Sequence, residues 1–175
     1  MYYRINMKQK EKKKKLLIIS SFMNYTLDND QYPKSVYKFC QVSEIEEKSF
    51  YKFFGSLDGV KVTIWETFFD NAMSLLEKDE NFENAKPKEK LLSFYYTFFE
   101  VMLLNRSYIL FALSGGEKIM NKMGQLSSLR KTFKGFTSEL IEDGNVEKPS
   151  YLQHPPKIFS EAAWIQLGFL IKFWI

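Results

Sequence analysis

Residues 35–56 read SVYKFCQVSEIEEKSFYKFFGS, and the fold is decided in this stretch. Ser35 is a residue type that caps a helix, and Val36, Phe39 and Cys40 follow it three and four apart on one face. Gln41-Val42-Ser43-Glu44 reads as a turn, and a third helix runs from Ile45 to Phe53 before Gly55-Ser56 closes it. Upstream, Leu16, Ile19, Phe22 and Met23 repeat at helical spacing, predicting a first helix over residues 14–27. Asp28-Asn29-Asp30-Gln31-Tyr32-Pro33 stops it, because Asn and Asp tolerate a left-handed turn and Pro33 disfavours a helical residue before it.

Downstream the pattern stays helical. Residues 57–78 form an amphipathic helix burying Val60, Ile64, Phe68, Ala72, Leu75 and Leu76, and Asp79-Glu80-Asn81 is a polar break. Pro87 then starts a helix over about 88–104 that is apolar almost all round, so it belongs at the centre of a bundle. A shorter helix covers 106–113, Gly115-Gly116 breaks the chain, and 117–142 is helical with Met120, Met123, Leu126, Leu129, Phe133 and Phe136 inward. A loop from Gly144 to Pro156 leads into a last helix, Phe159 to Trp174. The expected fold class is all-α, with seven or eight helices and no strand.

Composition narrows the function. The 175 residues are 45% hydrophobic and 17% aromatic, enough to bury a core. Cys40 is the single cysteine, which excludes an internal disulfide and any Cys/His zinc cluster and suits the cytoplasm. Charge is uneven: Arg4, Lys8, Lys10 and Lys12 to Lys15 against Glu11 leave residues 1–15 at +6, whereas residues 16–60 carry −2 and the remainder is neutral. The basic stretch before Leu16-Leu17-Ile18-Ile19 makes a poor signal peptide, since no small-residue cleavage site follows, and no stretch is apolar enough to span a bilayer. There is no GxSxG, P-loop, GxGxxG or HExxH motif, and His154 is the one histidine, so neither catalysis nor a metal or other cofactor is expected.

The segment from Ser35 to Ser56 resembles the DNA-binding head of the tetracycline-repressor (TetR) family. The family's second helix carries an Ile-Ala pair, here Phe39-Cys40, and its third ends in a Leu-Tyr-x-x-Phe run, here Phe50-Tyr51-Lys52-Phe53-Phe54. The resemblance implies an N-terminal helix-turn-helix domain over residues 1–56 and a helical regulatory and dimerisation domain over 57–175. In such a unit the second helix enters the major groove while the first braces on the backbone. By carry-over, Glu46, Glu47, Lys48 and Ser49 lie at the reading end, Tyr51 and Lys52 at phosphate-contacting positions, and Lys34, Ser35 and Lys38 add backbone contacts. The family's usual turn glycine is Glu44 here, its small residue deeper in the third helix is Lys48, and the basic residue after its aromatic run is Leu57. The six lysines of residues 8–15 are expected to compensate as a flexible arm, because phosphate neutralisation supplies most non-specific affinity.

The resemblance further implies a double-stranded DNA operator, a repressor's role, and a homodimer through the C-terminal helices including residues 158–175. Family members pair through their last two helices, and only the first of that pair precedes Ile175, which suggests a truncated chain or an end covered by a partner. Phe94, Tyr95, Phe98, Phe99, Met102 and Tyr108 either surround a small apolar effector, as the family implies, or simply fill a core, the commoner fate of rings at helical spacing. Two other functions stand beside DNA reading. The net −2 of residues 16–60 suits a TetR-shaped protein that has lost DNA reading and works through protein partners. The lysine arm with Leu16-Leu17-Ile18-Ile19 would suit attachment to an anionic membrane surface.

Overall fold

The computed structural model describes residues 2–114, 123–146 and 148–175, with the side chains of 2–8 and 114 left aside. Among the described residues the regular structure is entirely helical. The elements are α1 (Tyr2–Asn29), α2 (Val36–Val42), α3 (Glu47–Phe53), α4 (Leu57–Leu76), α5 (Glu80–Asn84), α6 (Pro87–Leu104), α7 (Arg106–Ser114), α8 (Ser127–Asn145) and α9 (Pro156–Trp174), with a 3-10 turn at Ser150–Leu152. No described helix is long and apolar enough to cross a membrane. The chain divides into two compact units, Met1–Ile64 and Trp65–Ile175, the division falling inside α4.

In the first unit, α1 begins at Tyr2, not near residue 14. The basic stretch expected to be a flexible arm is therefore helical. Lys, Gln, Glu and Met are good helix formers, and once the apolar part has nucleated the helix, extension through them is easy. The inward face is Ile18, Ile19, Phe22 and Thr26, while Leu16 and Leu17 are exposed. The Thr26 hydroxyl, buried, donates back to the Phe22 carbonyl at 2.8 Å. Asp30, at φ 49°, supplies the left-handed residue that ends the helix.

The core of this unit is built of rings. Phe39, wholly buried, meets Phe22, Tyr25 and Phe50 edge-on at centroid separations of 5.7, 6.1 and 6.0 Å. One side chain thus ties α1, α2 and α3 together. Edge-to-face pairs at this range add about 0.5–1.5 kcal/mol each beyond their burial. Cys40, Phe54, Val60 and Ile64 are buried with them.

The second unit departs from the sequence reading at four places. Asp79-Glu80-Asn81 is not merely a break: the Asp79 carboxylate accepts from the Asn81 amide at 3.0 Å and caps α5. Helix α6 is not buried all round, because Leu92, Tyr96 and Leu103 form an exposed stripe opposite buried Phe94, Phe98, Val101 and Met102. Leu75 and Met123, expected inward, are also exposed. The helix expected over 117–142 is interrupted at Leu126 and runs on to Asn145; Gly115-Gly116, Met120 and the rest of 115–122 lie outside the described residues. The buried Gln125 amide sits at the interruption: it donates to the Ala112 carbonyl at 3.1 Å and accepts from the Trp65 indole at 3.2 Å.

Candidate functional site

The α2–α3 unit is shaped by backbone chemistry at its two joints. Ser35 is extended, and its Oγ accepts from the Lys38 amide at 3.2 Å, capping α2 as its residue type predicts. At the other end the Ile45 amide donates to Cys40 O at 2.9 Å and the Glu44 amide to Gln41 O at 3.4 Å. This nested pair is a Schellman closure, which requires a left-handed residue between its bonds. That residue is Glu44, at φ 54°. Ile45 is consumed by the closure, so α3 starts at Glu47, two residues later than the apolar pattern predicts.

Helix α3 is anchored by Phe50, fully buried, whose ring lies 5.5 Å from Tyr51 and 5.7 Å from Phe54. That anchoring turns Glu46, Glu47 and Lys48 outward and leaves Ser49 half-buried at the first turn. Glu47 is favoured there by the positive end of the helix, and Lys52 by the negative end. One turn on, Tyr51 and Lys52 are exposed, as are Lys34 just before α2 and Lys38 on it. Cys40 is buried below this surface; burial first, then the Glu47 carboxylate, pushes its thiol pKa up, so it stays protonated and unreactive.

Lys52 is not a free cation. Its Nζ lies 2.5 Å from Glu11 Oε1 on α1 and 5.7 Å from the Phe53 ring centroid. Hydrogen bonding to Lys52, then its charge, holds the Glu11 carboxyl below its usual pKa. No sequence signal marks a pair 41 residues apart.

In the second unit, Phe94, Phe98, Met102 and Tyr108 are fully buried and Tyr95 and Phe99 half-buried. The Phe94 ring lies within 5.4 Å of those of Phe69, Phe98, Phe133 and Phe136. Tyr95 Oη donates to Gln166 at 3.5 Å, and burial pushes its pKa up. A separate cleft of about 380 Å3 opens between the start of α6, the end of α8 and the start of α9; none of those six residues lines it. Its walls come from distant segments, so no local periodicity announces it. His154 stands at its edge, the ring 4.5 Å from that of Phe159.

Residues 90–175 match the family model described as tetracyclin repressor-like, C-terminal domain. A crystal structure of a protein described as a TetR-family transcriptional regulator from Syntrophomonas wolfei str. Goettingen superposes with a TM-score of 0.69 at 16% identity. That match covers 94% of this chain and 84% of the other. At that identity the likeness speaks for the fold alone. No curated protein matches the chain in sequence.

Proposed function

We propose that this chain, a TetR-like protein by the family model it matches and by its all-α fold, is a DNA-binding transcriptional regulator. Residues 1–56 are its DNA-binding domain and residues 57–175 its regulatory and dimerisation domain. The observation that carries the reading is the α2–α3 unit: the closure at Glu44 and the Phe39–Phe50 contact set two short helices in a helix-turn-helix, with Glu46, Glu47 and Lys48 outward and Ser49 half-buried at the start of the second. Helix α3 reads base edges through Glu46, Glu47, Lys48 and Ser49, a glutamate accepting from cytosine N4. Lys34, Ser35, Lys38, Tyr51 and Lys52 hold phosphates, aided by the helical lysines of α1.

The regulator acts in the cytoplasm as a homodimeric repressor on a pseudo-palindromic operator, its reading helices about one DNA turn apart. Supporting the dimer, α9 has a buried face, Ser160, Trp164, Leu167 and Ile171, and an exposed apolar one, Ile158, Ile165, Phe169 and Phe173. A small effector bound in the second unit releases the operator.

The test is selection of bound fragments from a random duplex pool, with the intact chain, with Tyr51→Ala, and with residues 1–13 removed. The expected result is one enriched motif, kept with Tyr51→Ala at an affinity lowered alike across sequences, and retained at weaker affinity and shallower salt slope on truncation. No enrichment with the intact chain refutes the reading and favours a protein-interaction role for the acidic α3 surface.

A further inference from the structure

The cleft between α6, α8 and α9 is lined mainly by apolar side chains and carries two lysines. Leu91, Leu140, Ile141, Ala162 and Ala163 make the floor, and Lys88 and Lys148 are the charged residues lining it, with no Asp or Glu among them. Glu89, next to Lys88 in sequence, is turned back onto the Lys86 amide at 3.0 Å. The edge carrying Lys148 and His154 is braced. The Asn145 side chain, buried, donates to the His154 carbonyl at 2.8 Å and accepts from its amide at 2.9 Å, while Gln153 donates to the Lys148 carbonyl at 3.1 Å. Two lysines beside a greasy floor attract a molecule that is anionic at one end and aliphatic at the other, and about 380 Å3 lies in the range of small-ligand sites.

We propose that this cleft binds a small aliphatic monocarboxylate, its chain over Leu91, Leu140, Ile141, Ala162 and Ala163 and its head group at Lys88 and Lys148. The inference gives the effector of the proposed function its chemical class, and binding is measured without DNA. Its failure therefore leaves the operator selection untouched, and a failed operator selection leaves this result standing.

The experiment titrates hexanoate, octanoate and octanol into the full chain, followed by heteronuclear NMR. Octanoate is expected to bind more tightly than hexanoate by about fourfold for each methylene buried, and more tightly than octanol by about tenfold, as expected for a charge-assisted contact. Shifts should centre on Leu140, Ala162 and Ala163. Lys88→Gln with Lys148→Gln should bring octanoate down to the octanol level and leave octanol unchanged. Ala163→Leu, which fills the floor, should weaken both. Should the double variant melt early, exposed Lys88→Gln alone is read, with a partial loss for octanoate only. Equal binding of octanol and octanoate, octanoate binding indifferent to the lysine changes, shifts centred elsewhere, or no binding at millimolar octanoate would each overturn the proposal.

Discussion

Glu11 of α1 grips Lys52 of α3 at 2.5 Å, joining the basic N-terminal helix to the outward surface of the helix-turn-helix. Both side chains keep about half their exposure, 45% for Glu11 and 57% for Lys52, so solvent and salt screen the pair. Its consequence lies in what Lys52 is free to do more than in how tightly the unit holds together.

Glu11→Gln removes the competing carboxylate from Lys52. A phosphate then meets an unpaired ammonium, and non-specific duplex binding should tighten, with the slope of log K against log salt steeper by about 0.9, one phosphate's worth. The melting temperature should change little. Fluorescence anisotropy with a labelled duplex at several salt concentrations reads the slope. An unchanged slope and affinity would mean that Glu11 does not hold Lys52 back from phosphate.

Glu44 holds the left-handed conformation that the closure of α2 demands, and its Cβ bears the strain of that φ. Glu44→Gly removes the strain, although a glycine also loosens the unfolded chain. The net gain should be about 0.5–1 kcal/mol for the first unit. It is measurable as a higher urea midpoint for exchange of the Phe39, Phe50 and Ile45 amides, with amides of α8 unaffected.

The helix-turn-helix was legible because its signals are local. Ser35 announces the cap, and the spacing of Phe39, Cys40 and Phe50 announces the buried face. The start of α3 was misplaced by two residues because Glu44 hides a position that a glycine would have advertised. Elsewhere tertiary partners overrode the pattern. Leu126 interrupts a regular helical repeat beside Gln125, whose side chain bonds to Ala112 and Trp65, 13 and 60 residues away. The outward stripe Leu92, Tyr96 and Leu103 of α6 is apolar or aromatic like the buried Phe94, Phe98, Val101 and Met102, so hydrophobicity could not tell the faces apart. The outward positions of α3 came from the family resemblance, whereas the capture of Lys52 by Glu11 depends on α1 extending back through Glu11, a helical extension that apolar spacing does not record.

Glu161 on α9 bridges two cations of α8, Arg130 at 2.6 Å and Lys134. Hydrogen bonds from Lys134 and then Arg130 hold its carboxyl below the ordinary value of 4.5. A depressed folded-state pKa contributes stability above the unfolded value and loses it as pH falls through the folded one. Wild type should therefore melt above Glu161→Gln at neutral pH, and the two should converge as pH drops below 4.5 and through the lowered pKa. Melting by circular dichroism from pH 7 downward tests this, and a gap that persists in acid would assign the bridge no part in it.

Phe169 offers the sharpest test of how two copies would meet. It is 57% exposed on α9, flanked on the same face by Ile165 and Phe173 at 53% and 87%, while Trp164, Leu167 and Ile171 fill the opposite face. A two-fold interface uses the same patch on both copies, so Phe169→Glu places two carboxylates at the seam through one substitution. Burying each without a cation is strongly unfavourable. Since the side chain touches mostly solvent in the monomer, helicity and melting of the isolated chain should be retained. Sedimentation velocity should show the parent as a dimer and Phe169→Glu as a monomer over the same concentrations, and operator affinity should fall because each half-site then binds alone. A variant that stays dimeric would move the seam off this face of α9, and the exposed Leu92, Tyr96 and Leu103 stripe of α6 becomes the next face to charge.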